Sequence, residues 1–169
     1  MLKYLFAGLA VLAVCCSCLK SSQGSYTVSC NYDPCSVVAP DSEITAVRNY
    51  LSTNNIAATQ HCSGLFYKVD TLGNGAAPTP CSNVIIRYKG YLANGKVFDS
   101  SSNDVVYPLL SLIRGWTNGL PYVQTGGLIH LYIPPALGYG YTDRRDATGN
   151  VIIPANSIII FDVHLDGVQ

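Results

Sequence analysis

One dipeptide constrains the fold more than any other feature: Asn94-Gly95, set between an apolar run at 83–92 and a returning segment at 96–99. Both residues tolerate positive φ, so the pair predicts a tight hairpin between two strands. Further strand signals surround it. Leu65, Tyr67 and Val69 alternate with Phe66, Lys68 and Asp70, 105–110 is a short extended segment, and 128–133 and 158–165 are two more strands. Gly73-Asn74-Gly75 and Pro78-Thr79-Pro80 break the chain between strands. Twelve Tyr against four Phe, with 15 Gly and nine Pro, lean the same way. Helical spacing is convincing only where Glu43, Ile44, Ala46, Val47, Tyr50 and Leu51 recur at three- and four-residue intervals. Asp41 or Ser42 is expected to cap that helix and Asn54-Asn55 to end it. A brief helix is expected at 115–120, although Asn118 and Gly119 are poor helix formers. The expectation is an α+β fold, a mostly antiparallel sheet crossed by one short helix, with an N-terminal helical extension.

Charge narrows the function. Ten Lys and Arg balance ten Asp and Glu, and only 12% of the 169 residues are charged against 49% hydrophobic. A chain of that balance forms a core rather than a disordered tail. With no Lys/Arg cluster to neutralise phosphates, nucleic acid is not an expected partner.

The first 17 residues read as a signal peptide: Lys3, then an apolar run through Val14 that is too short to span a bilayer. Cys15, Cys16, Ser17 and Cys18 follow, a cluster resembling a bacterial lipoprotein processing site. Cys18, preceded by small Ser17, is the first choice for lipidation, with Cys16 and Cys15 as alternatives. The expected layout is a signal peptide over 1–17, a lipid-anchored tether and helical extension over 18–62, and a folded domain over 63–169. A location in the cell envelope follows, the domain lying in the periplasm or at the cell surface and the membrane being contacted through the anchor. The helix of the extension packs on the domain, or serves as a contact for a homodimer.

An exported chain meets an oxidising compartment, so Cys30, Cys35, Cys62 and Cys81 suggest two disulfides. Spacing does not choose among the three pairings; Cys30 with Cys35 and Cys62 with Cys81 are the favoured pairs. A metal site would need tighter paired spacing, so none is expected, and His61 reads as an exposed polar residue. Cys30 and Cys35 also lack the two-residue spacing of a thiol redox motif. His130 and His164 lie in strands with no nucleophile motif nearby, which argues against hydrolase chemistry.

Three blocks of sequence then fall in order. They are 88–101, containing Tyr88, Gly90, Phe98 and Asp99; 112–120, containing Leu112, Ile113 and Trp116; and 133–140, containing Tyr139, followed by Ile153-Pro154 and by Phe161-Asp162-Val163-His164-Leu165. Together they resemble the FK506-binding protein family of peptidyl-prolyl isomerases, over about two-thirds of the chain. The resemblance implies a twisted antiparallel sheet wrapped around a short helix, with an apolar cavity between them for a prolyl residue of a polypeptide substrate. It implies that Trp116 forms the floor, that Tyr88, Phe98 and Phe161 form walls, and that the Ile113 N–H and the Tyr139 hydroxyl donate to substrate carbonyls. Asp99 would orient Tyr88 or polarise the substrate. Leu112, Val105, Tyr107 and Ile153 would complete the substrate contacts, Ile153 beside a flap at 141–152. No cofactor is implied. A non-catalytic peptide-binding or chaperone module is the alternative. The chain departs from the family pattern at Ser111, Val105 and Ala155, and 100–106 offers no basic partner for Asp99.

Overall fold

The computed structural model describes residues 30–169; the leader, Cys18 and the tether up to residue 29 lie outside the described residues. In chain order the elements are α1 (Asp41–Thr53), β1 (Thr59–Gln60), β2 (Phe66–Thr71), β3 (Asn83–Leu92), β4 (Val97–Pro108), α2 (Arg114–Gly119), β5 (Gly127–Ile133), β6 (Arg144–Arg145), β7 (Val151–Ile153) and β8 (Ile159–Val168). Six strands form one antiparallel sheet in the order β1-β2-β5-β8-β3-β4, while β6 and β7 make a separate hairpin. This is the expected α+β arrangement, a sheet around a short helix.

Successive strand residues point to opposite faces, and that assigns each helix its side. Phe161, Leu131 and Ile133 face inward onto α2. The glycines that make α2 a poor helix in isolation let it approach β5: a Cβ on Gly115 would sit 2.5 Å from Ile133, and one on Gly119 2.4 Å from Leu131. Ile160, Tyr132 and Phe66 point the other way and are buried too, because α1 covers them; its Tyr50 ring lies 6.4 Å from that of Tyr132. Ile44, Val47 and Leu51 supply the buried face of α1 and join the same apolar cluster as the sheet. Each such side chain, fully buried, contributes about 1.5–3 kcal/mol.

Several expectations change. Pro40, not Asp41 or Ser42, stands at the start of α1, and no side chain caps it; the Pro40 carbonyl instead accepts from the amides of Glu43 and Ile44. The hairpin after β3 forms, but only Gly95 takes positive φ (+83°), and Asn94 accepts the Lys96 N–H on its side-chain oxygen instead. β4 runs unbroken through 97–108, joining two segments that read as separate. Its middle lacks alternation because it is a sheet edge exposing Ser102, Asn103 and Asp104 to water. His61 is buried, 7% exposed, with Nδ1 against the Ser63 hydroxyl at 2.8 Å.

The disulfides pair Cys30 with Cys81 and Cys35 with Cys62, not as favoured from sequence. A turn in which the Asp33 carboxylate accepts the Cys35 N–H carries Cys35 to the point where the chain returns from α1. By loop length alone, the 51-residue separation closed by Cys30–Cys81 corresponds to about 4 kcal/mol of lost unfolded-state entropy. The sulfurs of Cys35 and Cys62 lie with the His61 ring nitrogens in one group of donor atoms within 4.8 Å, but both sulfurs belong to the disulfide.

Candidate active site

The inner face of the sheet brings five aromatic rings from five places in the chain into one continuous stack. Trp116 on α2 meets Phe161 on β8 edge-to-face, 4.9 Å between centroids, and Tyr88 on β3 at 5.3 Å. Phe161 meets Phe98 on β4 at 5.5 Å, and Phe98 meets Tyr139 at 6.0 Å. Such T-shaped pairs contribute about 0.5–1.5 kcal/mol each beyond buried area. Gly90 makes room for them: a Cβ there would lie 2.5 Å from Phe161 and 2.8 Å from Phe98. The sequence alone does not mark Gly90 as a site residue, because a glycine inside a strand signals close approach without saying to what.

A cavity of about 290 Å³ opens on this stack, lined by Tyr88, Asp99, Tyr107, Ser111, Leu112, Ile113, Trp116, Tyr139 and Phe161. Trp116 is 4% exposed, so it is a floor and not a lid. Its indole N–H is the one buried side-chain polar atom among the described residues with no hydrogen-bond partner. Phe98 and Ile153 line a neighbouring groove of about 550 Å³ that shares Asp99, Ile113 and Tyr139 with the first. Val105 does not reach either space. It packs on the core opposite Ile86, while Asp99 and the longer Tyr107 of β4 line the cavity.

The polar groups are few. The Tyr88 hydroxyl donates to Asp99 at 2.8 Å. Burial pushes the Tyr88 phenol well above its usual range, and the bond to Asp99 adds to the rise. Burial also raises Tyr139, helped by the Asp99 charge and partly offset by Arg144, so both phenols stay protonated donors at neutral pH. Among the described residues the Ile113 N–H, at the start of α2, and the Tyr139 hydroxyl have no internal acceptor. Among the described residues Asp99 has no ion-pair partner, but Arg144 and Arg145 of the β6–β7 hairpin line the groove it borders, and the Arg144 guanidinium sits 5.6 Å from the centre of the Tyr139 ring. These arginines lie far along the chain from Asp99, and only the folded hairpin brings them to the groove.

A family model described as FKBP-type peptidyl-prolyl cis-trans isomerase matches residues 75–166. The chain belongs to this family. All five rings of the stack fall inside the matched FKBP-type region. FkpA of Escherichia coli, an FKBP-type peptidyl-prolyl cis-trans isomerase, is 42% identical over 106 residues, covering 61% of this chain and 37% of that protein. The Mip peptidyl-prolyl cis-trans isomerase of Coxiella burnetii is 39% identical over 110 residues, 63% of this chain and 41% of Mip. The chain therefore spans about 40% of the length of such relatives. Among solved structures, Escherichia coli FkpA aligns with a TM-score of 0.64 at 34% identity, over 76% of this chain and 60% of that one. A peptidyl-prolyl isomerase of Pseudomonas syringae aligns at 0.65 and 28% identity, over 78% of this chain and 97% of its own.

Proposed function

We propose that this protein is a peptidyl-prolyl cis-trans isomerase that rotates X-Pro bonds in exported polypeptides within the bacterial cell envelope. The observation that carries the reading is the ring-lined cavity floored by Trp116, with two unspent donors at its edge. An X-Pro bond turns slowly because resonance gives its C–N bond partial double-bond character, with a barrier of about 18–20 kcal/mol. No covalent bond breaks, so the chemistry calls for neither a nucleophile nor a metal. The catalyst has only to favour the twisted amide over the planar one. Water favours the planar, more dipolar form, and the aromatic cavity strips that water away. The pyrrolidine ring lies on Trp116, between Tyr88 and Phe161. The Ile113 N–H and the Tyr139 hydroxyl hold the flanking carbonyls while the amide turns. Asp99 fixes Tyr88 through its hydrogen bond.

The names of FkpA and Mip support the activity, and the paired cysteines support export. Anchoring through lipid on Cys18 belongs to the same proposal. Among the described residues no helix is long and apolar enough to cross a membrane. A homodimer through α1 would have to use its outward side, since Ile44, Val47 and Leu51 are buried on their own chain.

A protease-coupled assay on a proline tetrapeptide tests the reading. Rate enhancement abolished by Trp116→Ala supports it. Peptide binding by the wild type without turnover would replace it with a non-catalytic binding or chaperone module. Mass analysis of the native N-terminus tests the anchor.

A further inference from the structure

Tyr139 stands between Gly138 and Gly140, neither of which has a side chain to anchor the backbone, and Gly140 adopts φ +79°. The cavity nevertheless needs this ring and hydroxyl in one place. Part of the restraint is local: the Gly138 and Gly140 amides donate to the Pro135 carbonyl at 3.0 and 2.9 Å, and the Asn156 N–H donates to the Gly140 carbonyl at 3.1 Å. The rest comes from outside the segment. Glu43, in the first turn of α1, accepts the Ala136 N–H on Oε2 at 2.9 Å and the Tyr141 hydroxyl on Oε1 at 2.8 Å. One carboxylate thus grips the chain on both sides of Tyr139.

An acidic residue in a first turn ordinarily serves its own helix, through the dipole or the free amides. Here no side chain caps α1, and both Glu43 oxygens are spent on the loop after β5. The stretch before α1 does the same for the cavity floor. The Tyr32 hydroxyl donates to Asn118 at 2.6 Å and the Asn118 amide donates to the Pro34 carbonyl at 3.1 Å, tying that stretch to α2, the helix that carries Trp116.

We propose that Glu43 is a positioning residue of the isomerase site: its carboxylate bridges Ala136 and Tyr141 so that the Tyr139 hydroxyl is held at the edge of the prolyl cavity. The proposal rests on the isomerase reading above and adds a residue from outside the family-matched region.

The test uses the whole chain, with kcat/KM on a proline tetrapeptide, affinity for that peptide from the fluorescence of the single tryptophan, and the thermal midpoint. Glu43→Ala lowers kcat/KM by about three- to tenfold, the loss expected for one or two hydrogen bonds. Glu43→Gln, which keeps one acceptor oxygen, recovers part of the loss, and Tyr141→Phe, which removes one exposed donor and leaves the fold alone, costs about twofold. Val47→Ala, a cavity in the buried face of α1, lowers the thermal midpoint and leaves kcat/KM unchanged below the transition, separating positioning from helix stability. In a Tyr139→Phe background the effect of Glu43→Ala largely disappears, because the two act through one hydroxyl. Wild-type kcat/KM in both Glu43→Ala and Tyr141→Phe overturns the proposal, as does an undiminished Glu43→Ala effect in the Tyr139→Phe background. A wild type without turnover defeats the isomerase reading instead, while the fluorescence titration still shows whether Glu43→Ala weakens peptide binding, as the clamp requires.

Discussion

The two faces of the sheet are built from the same strands and do opposite things. Phe161 turns inward to the ring stack, while its neighbour Asp162 turns outward into a charged row. There the register sets Lys68, His130, Asp162 and Lys89 side by side across β2, β5, β8 and β3. In that row His130 Nδ1 meets Asp162 at 2.6 Å and Nε2 meets Asp70 at 2.7 Å, Tyr91 donates to Asp162 and Lys68 pairs with Asp70. Inside, polar groups are few and the Ile113 N–H and Tyr139 hydroxyl are left unspent; outside, Lys68, Asp70, His130, Asp162 and Tyr91 bond to one another. The inner face leaves two donors free beside an open cavity, and the outer row spends its groups on itself. Alternation with period two is what lets one strand do both.

Trp116→Ala should break the inner face most severely. Removing the floor lowers kcat/KM by about 100-fold or more, read in the protease-coupled assay on protein shown to be folded by circular dichroism. Gly90→Ala should come next: a methyl 2.5 Å from Phe161 forces two rings to move, costing about 1–3 kcal/mol of stability in a denaturant melt and about tenfold in turnover. Tyr139→Phe removes one donor and keeps the ring, so its loss is about two- to tenfold. A larger loss than for Trp116→Ala would mean that hydrogen bonding, not desolvation, dominates the site.

The smallest effect on turnover belongs to the outer face, and it is one of stability against pH. The hydrogen bond to Asp162 raises the His130 pKa, burial opposes the rise, and the bond to Asp70 adds to it. A raised folded value means that the protonated form is favoured on folding. The stabilisation is therefore complete below the unfolded value of about 6.5 and is lost as pH climbs through the folded one. The thermal midpoint should fall from pH 6 to pH 9 in the wild type, and His130→Gln should flatten that slope. Turnover should be unaffected by His130→Gln, and between pH 7 and 9 it should show no tyrosine ionisation, because Tyr88 and Tyr139 both titrate above their usual range. A pH slope in kcat/KM that vanishes in His130→Gln would show that the two faces communicate.

What was legible in the sequence follows the same division. Strand β3 was placed at its true bounds, and Trp116, Tyr88, Phe161, Asp99, Ile113 and Tyr139 do share one cavity, because strand parity and motif order are local signals. Edge and long-range features were not legible. β4 reads as two pieces since an exposed edge has no apolar alternation to reveal it, and Val105 packs on the core where the sequence points to a site contact. His61 reads as exposed because nothing nearby in sequence shows the covering Tyr122 ring, 5.8 Å away. Arg144 and Arg145 reach the groove, and Glu43 its loop, only through the tertiary fold. The cysteine pairing failed for the same reason: proximity along the chain favours Cys30 with Cys35, and the excursion through α1 decides otherwise.

That pairing bears on how the chain is made. If the chain is exported as proposed, it is threaded from the N-terminus, so Cys30 and Cys35 enter the oxidising compartment together, Cys62 follows and Cys81 comes last. Among these four cysteines the first crosslink open to such a chain is then Cys30 with Cys35, a wrong one, and if it forms it must be reshuffled, a process of seconds to hours, before the N-terminal segment can close over the helix that carries Trp116.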